Sequence, residues 1–170
     1  MQIFIRSLVY CTIFSGLFLG CAKPHPAGLP QLVPCTVKIV DGSQPLAEVD
    51  VGLLREEGQS GWSLGGISDS TGTVKLRTIF ASFEGNGVPA GTYRVLLNKQ
   101  VDVPPELTLS ETDSLKLSPA ELTKWNAKRE KYIKEHQILP TTFSDPDATP
   151  IKLTVSETTG SQIIDVAKYK

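Results

Sequence analysis

Beyond Pro34, apolar residues return at every second position in short runs, and each run ends in a cluster of turn-forming residues. A period of two puts alternate side chains on one face of a strand, whereas a helix would repeat near 3.6. The pattern predicts strands over 35–40, with Cys35, Val37 and Ile39 inward, and over 49–55, with Val49, Val51 and Leu53 inward. Further strands are expected over 63–68, 73–78, 93–98 (Tyr93, Val95 and Leu97 inward), 151–155 and 162–167. About seven strands with turn signals every 8 to 12 residues make a β-sandwich.

The turns have their own chemistry. Asp41-Gly42-Ser43-Gln44-Pro45 separates the first two strands. Asp69-Ser70-Thr71-Gly72 predicts a hairpin between 63–68 and 73–78, since Asp can bond its own backbone and Gly can take positive φ. The last two strands are expected to pair around 157–160. One segment breaks the period. Ser118-Pro119-Ala120-Glu121 reads as a helix start, with Ser as N-cap, Pro at the first helical position and Glu closing a capping box. The helix should end near His136, within an insertion over about 104–137. Leu122, Trp125, Arg129, Tyr132 and Ile133 form one stripe, which packs on the sandwich or, as the alternative, serves as a docking face. Glu130 with Lys134, and Lys131 with Glu135, are spaced as i,i+4 ion pairs.

The N-terminus belongs to another class. Arg6 is followed by an apolar run from Ser7 to Gly20, about fourteen residues, which stops at Cys21. That is short of the roughly twenty residues a membrane-crossing helix needs, and it has the layout of a secretory signal. Gly20-Cys21 resembles the lipobox of bacterial lipoproteins, with Phe18 and Leu19 before it. The resemblance implies cleavage after Gly20, residues 1–20 being the signal peptide, and a diacylglycerol on Cys21. An ordinary secreted protein or an uncleaved anchor is the alternative. Residues 21–34 contain four prolines and no hydrophobic period, so they read as an extended tether ahead of a single domain over 35–170.

Three blocks of residues resemble a known group when taken in order: Asp41 to Ala47 before a Val-rich strand, Ser68 to Gly72, and Gly87-Val88-Pro89-Ala90-Gly91-Thr92-Tyr93-Arg94-Val95. They look like bacterial lipoproteins with a carboxypeptidase-regulatory-like domain. Leu139-Pro140, Phe143-Ser144-Asp145 and Thr149-Pro150-Ile151 resemble that group's C-terminal stretch. The resemblance implies a seven-stranded transthyretin-like (prealbumin-like) sandwich in a non-catalytic accessory module, with Asp41, Gly42, Pro45, Asp69, Gly72, Pro89 and Gly91 at structural turns. It names no ligand.

Few residues offer chemistry. Of the two histidines, His25 stands in the tether and His136 ends a charged helix. A nucleophile therefore has little choice of base, and no catalytic residue is assigned. Asp69 to Gly72, and Asp145 with Asp147, could offer oxygens but lack EF-hand spacing, so no metal and no cofactor is expected. Glu56-Glu57 begin a Gly-rich loop that ends in Trp62; an exposed Trp62 would suit carbohydrate. The net charge of −1, or −2 without Arg6, gives no case for nucleic acid. Cys11 leaves with the signal and Cys21 takes the lipid, so Cys35 is left as a buried thiol or an intermolecular partner. The expected protein is an envelope module tied to a membrane by its lipid. It binds an envelope protein or a polysaccharide, with Trp62 and Trp125 as interaction residues, or else acts as a structural spacer. Metabolic labelling with a fatty-acid probe should mark the wild type and not Cys21→Ser; equal labelling of both would reject the anchor.

Overall fold

Val49, Val51 and Leu53 are all buried, as are Tyr93, Val95 and Leu97. The two strands that carry them, β4 (Val49–Arg55) and β10 (Gly91–Lys99), pair antiparallel from Tyr93↔Arg55 to Lys99↔Val49. The computed structural model describes residues 26–56, 61–158 and 160–170. Around the β4–β10 pair, an antiparallel sheet extends through β5 (Ser63–Ile67), β7 (Arg77–Phe80) and β8 (Phe83–Asn86) on one side. On the other side lies β11 (Lys152–Val155), so the order is β11-β10-β4-β5-β7-β8.

A second sheet is built on β2 (Thr36–Asp41), flanked by β12 (Ser161–Asp165), β3 (Gln44–Pro45) and β6 (Thr73–Lys75). β12 pairs with β2 in parallel; β3 and β6 pair with it antiparallel. Two short strands, β1 (Leu32–Val33) and β9 (Val88–Pro89), pair with each other. Val37, Ile39 and Val74 of the second sheet share one core with Val51, Leu53, Val95 and Leu153 of the first. The protein is mainly β, and its sheets face each other as in a sandwich.

Polar groups caught in this core find partners, as desolvation requires. The Tyr93 hydroxyl donates to the Pro89 carbonyl, four residues upstream. Thr78 donates to the Gly87 carbonyl and Thr149 to that of Val95. Ser68 accepts from the Val49 N–H and donates to the Leu46 carbonyl.

The structure departs from expectation in its partnering. The segments before and after Asp69–Gly72 do not form a hairpin: β5 pairs with β4 and β7, whereas β6 pairs with β2. The turn passes the chain from one sheet to the other. The inward alternation Val74, Leu76, Thr78 continues unbroken, but at Leu76 the backbone leaves the second sheet for the first. There the Leu76 N–H donates to the Cys35 carbonyl, and the Leu76 carbonyl accepts from Gly87. A strand that turns a corner keeps its period while changing partners. Likewise β11 and β12 lie in opposite sheets, joined at the rim by the Gln162 amide donating to the Thr154 carbonyl at 2.8 Å.

The described residues form twelve strand segments beside the seven expected runs, because the 73–78 run divides and the short strands β1, β3, β8 and β9 are added. The stretch expected to be a free tether as far as Pro34 also joins the fold, with Leu29 and Val33 buried. Strand β12 stops at Asp165, whose carboxylate accepts from the Ala167 and Gly42 N–H groups and turns the chain into a 3-10 segment, Val166–Tyr169.

Helix α1 (Glu111–Ser114) precedes α2 (Pro119–His136), where the capping box forms: the Ser118 hydroxyl accepts from the Glu121 N–H and the Glu121 carboxylate accepts from the Ser118 N–H. The Lys131–Glu135 pair also forms, at 3.8 Å. The stripe is not core. Leu122, Trp125, Arg129, Tyr132 and Ile133 are only half-buried, and α2 has no buried residue. Leu139 and Phe143, just after the helix, enter the core in its place.

Tyr93→Phe leaves the buried Pro89 carbonyl without its donor and should lower stability by about 1–3 kcal/mol in urea unfolding. Trp125→Ala, on the half-buried stripe, should cost less than the roughly 3–5 kcal/mol of a core truncation.

Candidate functional site

The buried faces of β4 and β5 leave their other faces to solvent, and there the sequence places glycine against glycine. Gly52 of β4 is paired with Gly65 of β5. Residues directly opposite across a pair share a face, so the two positions form a gap without side chains on the outside of the larger sheet. Leu96 of β10 stands beside Gly52, and Arg77 of β7 beside Gly65, so the gap runs across the strands between them. The row on one side is Asp50 and Ile67; on the other it includes Ser63 and Ile79. The two isoleucines are 69% and 52% exposed. A concavity of about 690 Å³ lies over this trough. A second, of about 580 Å³, adjoins it across Gly52 and Ser63 and is bounded by Leu54, Arg94 and Trp62.

The two floor glycines differ. A Cβ on Gly65 would lie 2.1 Å from the Val51 carbonyl oxygen, so the strands can approach only without one. A Cβ on Gly52 would meet Leu96 at 3.6 Å, an ordinary contact. At the trough's end Arg77 is held by Glu84 at 2.6 Å, both half-exposed, a pair that contributes little to stability. The floor is peptide backbone and each rim sets an exposed isoleucine beside a polar residue, Asp50 or Ser63, which suits reception of a protruding side chain by shape with apolar contact at the two isoleucines.

The residues singled out from sequence lie elsewhere. Cys21, His25 and Glu57 fall outside the described residues. Asp41 ends β2 and receives Lys170 at 2.6 Å; Gly42, at φ +63°, opens the two-residue loop to β3, and Pro45 closes β3. The Asp69 carboxylate accepts from the Thr71 hydroxyl and from the N–H groups of Thr73 and Thr71, and these bonds hold it below the usual carboxylate range. Gly72 has φ +76°, and its carbonyl accepts from Ile39. Pro89 and Gly91 lie in strands on either side of the bend at Ala90, not in a turn of their own.

Trp62 is not the exposed platform expected. It is half-buried, packed on the core, and meets Phe80 edge-on with ring centroids 6.1 Å apart. Trp125 is half-buried on α2, far from being aligned with Trp62 in any shared strand or turn. His136 stacks on Tyr132 and donates from Nδ1 to its carbonyl. Asp145 accepts from the Asp147 N–H, a local turn, and Arg94 holds that turn through the Pro146 carbonyl. Cys35 is buried, and burial pushes its thiol up, away from the reactive thiolate. Among the described residues, no three His, Cys, Asp or Glu side chains are grouped to hold a metal ion. No helix among them is long and apolar enough to cross a membrane. No protein-family model matches the chain, and no curated protein matches it.

The trough had a signal in the sequence that went unused: Gly52 and the Gly65-Gly66 pair lie inside strands, where glycine marks a bulge or a close approach. Gly52→Val should fill the trough and leave the melting temperature near wild type. Gly65→Val should lower it strongly, and equal melting of the two variants would contradict the difference between the two positions.

Proposed function

We propose that this protein is a non-catalytic docking module of the bacterial cell envelope, tied to a membrane through a lipid on Cys21, that receives part of a partner protein in the Gly52–Gly65 trough. The observation that carries this reading is the trough with its two exposed isoleucines. Full burial of a large apolar side chain contributes roughly 1.5–3 kcal/mol, so Ile67 and Ile79 together hold binding energy that the free protein does not use. A protein partner suits the two exposed isoleucines better than a polysaccharide does, because sugar-binding platforms use exposed aromatic faces and Trp62 is half-buried against the core.

The family reading belongs to the same proposal: a carboxypeptidase-regulatory-like lipoprotein whose sandwich is the seven-stranded transthyretin-like type, with the short strands and α2 as additions. Its support is local. The motif around Asp41 makes the β2–β3 loop, that around Gly72 makes the sheet-to-sheet turn, and that around Pro89 and Tyr93 makes the buried hydroxyl–carbonyl bond.

The test is a photo-crosslinkable residue in place of Ile67, with Ile163 on the outer face of the second sheet as control, in intact cells. Position 67 should give a discrete adduct that position 163 does not, and Gly52→Val in the same chain should abolish it. Equal adducts at both positions, or an adduct that survives Gly52→Val, would reject the trough as the docking site.

A further inference from the structure

We infer that the side chain received by the Gly52–Gly65 trough is aromatic, with its ring lying across both glycines. This rests on the docking reading and adds to it the chemistry of the partner's inserted residue. The sheet itself needs a bare position at only one of the two sites. At Gly65 a Cβ has no room beside the Val51 carbonyl, but at Gly52 it would make only an ordinary contact with Leu96. Glycine inside a strand weakens it, and one that the packing does not require marks a place where something else approaches the backbone closely.

The shape of the gap selects the occupant. Residues opposite each other in an antiparallel pair stand about 4.5–5.5 Å apart, so the two glycines open one continuous slot and not two separate holes. Along β5 the next outward side chains, Ile67 and Ser63, are two residues away on either side, about 6–7 Å. A branched aliphatic side chain fills a compact hole over one position. A flat ring covers both glycines and passes between the rows that hold Ile67 and Ile79, and aromatic side chains compensate for glycines in sheets in this way.

Charge selects in the same direction. Arg77 stands beside Gly65 and would repel a cation, while the exposed Asp50, two residues from Gly52, would repel an anion. The other charges around the trough have partners there: Glu84 holds Arg77, and Lys75 acts on Asp69. A neutral ring meets neither penalty. Its negative face is attracted to the Arg77 guanidinium, and its positive edge to the Asp50 carboxylate.

The test holds single side chains at the trough by a reversible bond. In the full-length protein with Cys35→Ala, a cysteine replaces the exposed Ser63 on the trough's edge or, as control, the exposed Ser43 in the β2–β3 loop. Each variant is equilibrated in a thiol–disulfide buffer with equal amounts of 2-phenylethanethiol and 3-methylbutanethiol, and mass spectrometry of the peptide bearing the new cysteine reads the two mixed disulfides. Relative to position 43, position 63 should favour the aromatic thiol by about two- to tenfold, and Gly52→Val should return the ratio to that at 43. A ratio at 63 no higher than that at 43, or one that Gly52→Val does not change, overturns the aromatic occupant. The total yield of mixed disulfide separates the two ways of failing. A yield at 63 that falls with Gly52→Val while the ratio matches that at 43 means that the trough takes side chains regardless of a ring, and the docking reading stands; if neither yield nor ratio depends on Gly52, the trough receives no side chain and both readings fall.

Discussion

The ring of Tyr93 sits wholly inside the sandwich, and its hydroxyl is satisfied only because the chain bends back to offer the Pro89 carbonyl. That bond fixes the bend between β9 and β10, and with it the start of the strand that pairs with both β4 and β11. Burial pushes the phenol up, so it remains a donor under ordinary conditions. Sandwiches of other kinds use a tyrosine near the start of a strand in the same way. Here it joins the crossover segment, the larger sheet and the core in one contact.

A chain can advertise which residues face inward without advertising which strands meet. The alternation at Val37, Ile39, Val49, Val51, Leu53, Tyr93, Val95 and Leu97 was legible, and all of these side chains are buried. Partnering was not legible, because alternation is a property of one strand. Val74, Leu76 and Thr78 point inward whether the chain stays in one sheet or crosses to the other. The start of α2 was readable because a capping box is local, four residues bonding to one another. Its packing was not, because whether a stripe is covered depends on what else fills the core, and Leu139 and Phe143 do so.

The site was hidden for a related reason. Period-two patterns draw attention to the apolar face, and the trough is on the other one, formed by side chains that are missing. Only the register of β4 against β5 brings Gly52 opposite Gly65. A glycine inside a strand weakens it, and three within two neighbouring strands are a local concession by the fold. The residues picked out by type, Trp62 and Trp125, are instead half-buried, one against the core and one on α2.

The parallel pairing of β12 with β2 sets the order in which this protein can become complete. Thr36 and Ser161 are 125 residues apart along the chain, yet they are neighbours in one sheet. A chain delivered from its N-terminus presents β2, the central strand of its sheet, long before β12 exists, and pairings of such sequence separation are slow to form. Until the last strand arrives, β2 has one open edge and the core lacks Ile164 and Val166. The second sheet of this protein therefore cannot close early.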